Sequence, residues 1–183
     1  MSRYLPSLIA AAVAGLVYAL THLLNLWVFQ YFEFSAHISF VYIPAFLRLA
    51  NVLVLGWFWG AIGTLLGGVL LIVKNGNVFH EVFANVFISS LGGSAALGLF
   101  FLTQRRPVNI FLMQDWIALT LYCAIANVTL HHAYWSIFER HQLQDPIQIL
   151  WMACGDIVGT ILGAVTFKVL ATGFDWRRRG PDT

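Results

Sequence analysis

Residues 39–73 read SFVYIPAFLRLANVLVLGWFWGAIGTLLGGVLLIV, a stretch in which Arg48 is the only charged side chain. A helix needs about 20 apolar residues to cross the roughly 30 Å hydrocarbon core of a bilayer. The stretch is too long for one such helix, and GWFWG at Gly56–Gly60 predicts a tight turn between two shorter helices, 39–56 and 58–73. This stretch therefore predicts a helical membrane protein.

The composition of the whole chain supports the same class. Of 183 residues, 60% are hydrophobic and only 10% are charged, and the mean hydropathy is +0.78. Soluble domains carry roughly 25% charged residues, and disordered chains have few aromatic side chains. Both classes are excluded. The net charge of +2 is too small for a nucleic-acid-binding protein, so no nucleic-acid partner is expected.

Further apolar stretches extend this pattern along the chain. We expect an all-α, polytopic membrane protein, a bundle of six transmembrane helices in one domain over residues 1–175. A basic cytoplasmic tail follows at residues 176–183. The predicted spans are 5–29, 39–56, 58–73, 78–103, 111–138 and 146–171.

Basic residues predict the orientation of this bundle, because Lys and Arg are enriched in cytoplasmic loops. With six spans, seven basic residues fall on the side of the termini and two on the other. Both termini are therefore expected in the cytoplasm. The seven are Arg3, Arg105, Arg106, Lys168, Arg177, Arg178 and Arg179; the two are Lys74 and Arg140.

Two opposite charges lie well inside the predicted spans, Arg48 and Asp156. A charge at this depth costs at least about 2.5 kcal/mol, and a pair between the two spans would offset that cost. Two interpretations stay open. The pair is a structural contact that fixes helix register, or it belongs to a site that binds a small ligand or ion.

Other polar residues within the spans are candidates for the same ligand site. They are Asn51, Asn127, His131 and His22. No HxxxH or HExxH pattern lies on one helix, so no metal site is predicted and no cofactor can be named.

Glycines recur every four residues on one face of the last span, at Gly155, Gly159 and Gly163. Small residues at this spacing let two helix backbones approach closely. The face either packs inside the bundle or docks on a membrane-protein partner or a second copy.

Two segments resemble MASE1-type bacterial membrane sensor domains. They are Ile43–Gly67 (IPAFLRLANVLVLGWFWGAIGTLLG) and Gly155–Gly159 (GDIVG). The resemblance implies an inner-membrane sensory region that acts with a signalling output partner. The predicted six-span size and the Ala10-x-x-x-Ala14 face are also similar, more weakly, to the substrate-binding subunits of energy-coupling-factor transporters.

No phosphate-binding loop, dinucleotide fingerprint or nucleophile elbow is present in the sequence, so no enzyme is expected. The first expectation is a small MASE1-like protein that binds a ligand or ion within the bundle and signals through a partner. Two alternatives stay open. One is a transporter subunit or homo-oligomeric channel, and the other is a structural accessory subunit of a larger membrane complex.

Overall fold

The computed structural model describes residues 4–35, 38–75, 79–138 and 147–179. These residues form five α-helices: α1 (Leu5–Phe29), α2 (Pro44–Asn75), α3 (Phe79–Gln104), α4 (Met113–Phe138) and α5 (Gln148–Arg179). Between α1 and α2 lie a 3-10 turn (Gln30–Phe32) and two short antiparallel strands, β1 (Glu33–Ser35) and β2 (Ile38–Ser39). Glu33 pairs with Ser39 in this hairpin.

Four of the helices, α1, α2, α3 and α5, are long and apolar enough to cross a membrane. The chain is therefore a membrane protein. The fourth helix in sequence, α4, is not in this set because polar side chains interrupt its apolar surface. They are Gln114, Asp115, Thr120, Asn127, Thr129, His131 and His132.

The predicted six-span bundle is wrong, because the described residues form five helices with four candidate spans. The predicted spans 39–56 and 58–73 correspond to the single helix α2 (Pro44–Asn75), where the predicted break in helical geometry is confirmed at Gly56, and the predicted span 111–138 is too polar to be a candidate span. Residues 78 and 146, the expected first residues of two spans, lie outside the described residues, as do residues 180–183 of the expected tail. Residues 176–179 continue α5.

A single residue breaks the helical geometry of α2. Gly56 has φ +82° and ψ +164°, a conformation that side chains with a Cβ rarely adopt. Thirteen residues of straight helix would separate residues 51 and 64 by about 20 Å. Instead, Asn51 Nδ2 donates to Thr64 Oγ1 over 3.2 Å. The first segment of α2 (residues 44–55) therefore folds back beside the second (residues 57–75).

The bent α2 is the centre of the bundle, since it contacts α1, α3 and α5, while α4 packs between α3 and α5. On α1, the buried face carries Ala11, Gly15, Tyr18 and Ala19, the spacing of one helix face. A Cβ at Gly67 of α2 would collide with that face, and one at Gly63 would make a tight contact with the α1 backbone at Ala11. Small residues thus bring α1 and α2 into backbone contact.

Two apolar clusters pack between the helices. One contains Leu49, Ala96, Phe100, Leu119 and Cys123, and the other contains Ile38, Val128, Trp135 and Met152. On α4, Asn127 lies between Cys123 of the first cluster and Trp135 of the second. The buried polar groups described next form a layer between these two clusters.

Candidate functional site

An ion pair between the first segment of α2 and α5 lies at the centre of the polar layer. Arg48 Nη2 is 2.5 Å from Asp156 Oδ1, and the two side chains are only 1% and 4% exposed. The pairing that the sequence predicts is confirmed by this contact. Each charge compensates the other, which lets both remain in an apolar bundle.

Glycines on α5 allow this contact, because they bring its backbone against residues 39–46. A Cβ on Gly155 would overlap the carbonyl oxygen of Ser39, and one on Gly159 would overlap that of Tyr42. Gly163 faces the ring of Phe46 in the same way. The predicted small-residue face therefore packs within the chain, and association with a partner stays a prediction.

Both carboxylate oxygens of Asp156 are occupied. Oδ1 accepts from Arg48, and Oδ2 accepts from Asn127 Nδ2 over 2.8 Å. On the other side, Arg48 Nη1 donates to Ser89 Oγ of α3 over 3.3 Å. The ion pair thus joins four parts of the fold, namely α2, α3, α4 and α5.

Aromatic hydroxyls extend the layer towards α1. The guanidinium carbon of Arg48 lies 5.3 Å from the ring centroid of Tyr42, within cation–π distance. The Tyr42 hydroxyl is 3.0 Å from the Tyr18 hydroxyl and 3.2 Å from His22 Nδ1. His22, a candidate site residue from the sequence, is therefore connected to Arg48 by way of the Tyr42 side chain.

The backbone leading into α2 is also held by a side chain of α1. Asn25 Oδ1 accepts from the Ile43 amide over 2.9 Å, and its Nδ2 donates to the Val41 carbonyl over 3.1 Å. These bonds satisfy backbone groups of a non-helical segment, which would be costly if buried without partners. Asn25 therefore fixes the approach of Tyr42 and Arg48 to the layer.

His131 and Trp135 form the wall of the layer on α4. His131 Nδ1 is 2.9 Å from the carbonyl oxygen of Asn127, one turn earlier. Its ring makes an edge contact with Trp135 at a centroid distance of 5.5 Å. Trp135 Nε1 donates to Asn85 Oδ1 of α3 over 2.8 Å. The Trp135 indole is thus held by a ring contact within α4 and by a hydrogen bond to α3.

These polar groups line a cavity of about 360 Å³, which we call the polar cavity. It extends from Arg48, Asn127 and Asp156 to Glu33 of the hairpin. Because Glu33 is exposed, the cavity reaches the surface at the hairpin. Its volume falls within the range of small-molecule sites, roughly 300–1,000 Å³.

Two buried polar atoms in residues that line the polar cavity have no hydrogen-bond partner among the described residues. They are Arg48 Nε, a donor, and Asn127 Oδ1, an acceptor. Buried polar groups are nearly always satisfied by protein or water. Both atoms are enclosed by protein, so the candidate binding volume is defined by the polar cavity and not by these two atoms.

Five of the six predicted site residues come together here, and Asn51 does not. Arg48, Asp156, Asn127, His131 and His22 all line the polar cavity. Asn51 instead bonds Thr64 and holds the two segments of α2 together.

Several residues of the site carried no signal that set them apart in the sequence. Hydroxyls and amides are frequent in membrane helices as packing residues, so only the completed fold shows which ones converge. These residues are Tyr18, Asn25, Tyr42, Asn85, Ser89 and Trp135.

No group of three His, Cys, Asp or Glu side chains suitable for a metal ion occurs within the described ranges. Comparison with protein-family models, curated proteins and solved structures finds no match to this chain.

Proposed function

We propose that this chain is a bacterial inner-membrane protein of MASE1-like type that binds a small polar ligand in the polar cavity and reports its presence to a partner. One observation carries the proposal. The buried Arg48–Asp156 ion pair, together with Asn127 and His131, lines a cavity of about 360 Å³.

A purely structural ion pair would not need these features. A structural pair needs no cavity beside it. The coincidence of a buried charge pair, converging polar side chains and an open volume of about 360 Å³ favours ligand binding.

Binding can be tested by comparing two variants that add the same bulk in different places. Val82 lines the polar cavity, so Val82→Phe should fill part of it. Val73 is 72% exposed, and Val73→Phe is the matched control. Purified protein in detergent is heated with a panel of small neutral, anionic and cationic polar metabolites, because a ligand of the folded state raises its melting temperature.

We expect at least one compound to stabilise the wild-type protein and Val73→Phe but not Val82→Phe. The same compound should fail to stabilise Asn127→Leu, which removes a polar side chain from the lining of the polar cavity. Equal stabilisation of all four proteins, or no stabilisation of any by the panel, would contradict binding in the polar cavity.

A further inference from the structure

We infer that the segment between α3 and α4 binds an anionic phospholipid of the surrounding bilayer, with Arg105 at the headgroup and the apolar side chains that follow against the acyl chains. We call residues 105–112 the basic loop. This inference does not rest on the proposed function, because no residue of the basic loop lines the polar cavity.

The basic loop begins where a membrane span ends. The candidate span of α3 ends at Gln104, directly before Arg105. The chain then comes back to the same end of the bundle, because both terminal nitrogens of Arg106 donate to Asp115 in the first turn of α4. The basic loop therefore lies at the level of the bilayer surface, where the polar headgroups begin.

Four consecutive apolar side chains are exposed where the basic loop leads into α4. Ile110 is 52% exposed, Phe111 is 91%, Leu112 is 45% and Met113 is 74%. Contiguous exposed apolar surface of this kind marks a contact with a membrane or with another molecule. Since α3 enters the bilayer directly before this loop, the bilayer is the apolar phase within reach.

Hydrogen bonds fix the backbone that carries these side chains. The Asn109 amide donates to Asp115 Oδ2 over 2.8 Å, and the Phe111 amide donates to Asn109 Oδ1 over 3.0 Å. Trp116 Nε1 donates to the Ile110 carbonyl over 2.7 Å. The exposed apolar surface is therefore held in one conformation before any lipid binds, which lowers the entropy cost of binding.

The charge of this region complements an anionic headgroup. Residues 82–138 contain two basic side chains of Lys or Arg type, Arg105 and Arg106, and one acidic side chain, Asp115. Arg106 neutralises Asp115, whereas neither ion pair of the described residues includes Arg105. The Arg105 side chain is exposed, so its charge is available to a phosphate group.

An open groove of about 630 Å³ runs along the basic loop. Its lining is polar at Arg106 and Asn109 and apolar at Val108, Ile110 and Phe111. A phospholipid combines the same two surfaces, an ionic headgroup and an acyl chain, in one molecule. The groove and the Arg105 charge therefore commit the site to a lipid and not to a purely polar anion.

Two lipids with identical acyl chains test the role of charge. The purified full-length protein is titrated with phosphatidylglycerol, which is anionic, or with phosphatidylcholine, which is zwitterionic, and bound lipid is counted by native mass spectrometry. We expect the wild type to bind phosphatidylglycerol more tightly. Arg105→Gln should weaken this binding about fivefold, the contribution of one basic residue at an anionic surface, and leave phosphatidylcholine unchanged.

Hydrogen exchange shows where the lipid binds. In nanodiscs that contain phosphatidylglycerol instead of phosphatidylcholine, amides of residues 105–113 should exchange more slowly in the wild type. The difference should disappear in Arg105→Gln and shrink in Phe111→Ser. Phe138→Ser is the matched control, because Phe138 is 71% exposed at the other end of α4, and it should keep the wild-type difference. All three substituted side chains are exposed, so the variants keep the buried core.

Equal affinity of the wild type for the two lipids would overturn the inference, as would an exchange difference that persists in Arg105→Gln. Displacement of phosphatidylglycerol by an equal concentration of glycerol 3-phosphate would also overturn it, because the site would then bind a free phosphate compound. Unchanged exchange in both lipids would show that the basic loop projects from the bilayer and is open to a protein partner instead.

Discussion

Within the part of the chain that the structure describes, two Arg–Asp ion pairs have the same closest contact, 2.5 Å, in different surroundings. Arg48 and Asp156 are 108 residues apart in sequence and both are buried. Arg106 and Asp115 are nine residues apart, and the Arg106 side chain is 40% exposed. The first pair holds distant helices together, whereas the second closes a local loop.

The partners of the two carboxylates sharpen this difference. Both terminal nitrogens of Arg106 donate to the Asp115 carboxylate, over 2.7 and 2.5 Å, and the Asn109 amide donates a third hydrogen bond. Arg48 uses only one nitrogen for Asp156 and shares the carboxylate with Asn127. The Arg106–Asp115 pair therefore has the better hydrogen-bond geometry, yet it is the pair whose cation water can replace. Contact geometry alone does not rank the importance of the two pairs.

The largest effect is expected at the close contact between α2 and α5, on which the buried ion pair depends. Gly159→Leu would place side-chain atoms inside the backbone at Tyr42 and push α2 away from α5. We expect loss of folded protein, measured as monodisperse yield in size-exclusion chromatography. Gly98→Leu is the control, since a Cβ there meets nothing within 4 Å. Equal yields of the two variants would contradict the close approach.

Breaking the buried pair itself is expected to have the next largest effect. Arg48→Ala and Asp156→Ala should each lower the free energy of unfolding by about 3–5 kcal/mol, because each leaves a buried charge alone. The double variant should recover part of this loss, yet it should not bind ligand because the polar cavity then lacks the ion pair that lines it. A double-mutant cycle in detergent measures the coupling, and additive losses would show that the two charges do not stabilise each other.

The partly exposed Arg106–Asp115 pair should matter less and respond to salt. Arg106→Ala should lower the melting temperature by less than Arg48→Ala does, because Arg106 is 40% exposed and water can replace it, although Asp115 is only 2% exposed. The difference between wild type and Arg106→Ala should shrink as salt rises from low ionic strength towards 1 M, where charges are screened within about 3 Å. A loss as large as that of Arg48→Ala would remove the distinction between the pairs.

The smallest expected effect is a pH dependence of stability that comes from the Arg106–Asp115 pair. The bonds from Arg106, opposed by burial and assisted by the Asn109 amide, lower the pKa of Asp115 below its ordinary value. Its contribution to stability is therefore complete above the ordinary aspartate pKa of about 4 and is lost as the pH falls through the lower value in the folded state. Between neutral pH and pH 3, Asp115→Asn should lose less stability than the wild type. If the stability of the wild type and of Asp115→Asn fell equally as the pH is lowered, the lowered pKa of Asp115 would be contradicted.

The sequence predicted the buried pair but not the helix count, and the reasons are physical. A charge in an apolar stretch needs an opposite charge to offset the cost of burial, so Arg48 and Asp156 could be paired before the fold was known. The break at Gly56 was also predicted, from GWFWG, and the structure shows that this one residue leaves helical geometry without a loop. The helix count differs because the polar side chains of α4 keep it out of the candidate spans.

The polar cavity was predictable only in part for a related reason. Charged side chains and histidines stand out in an apolar sequence, so His22, His131 and Asn127 could be selected. Ser89 and Tyr42 do not stand out, and they join the site because α3 and the residues before α2 converge on Arg48. Asn51 resembles Asn127 in sequence, yet the fold at Gly56 turns it towards Thr64.

The separation of 108 residues between Arg48 and Asp156 also has a consequence for biosynthesis. At a translation rate of about 5–20 residues per second, α5 follows Arg48 out of the ribosome only after roughly 5–20 s. During that interval the nascent chain carries a cation destined for the bilayer without its carboxylate. We therefore expect the first segment of α2 to wait beside the insertion machinery and to enter its final position only when α5 arrives.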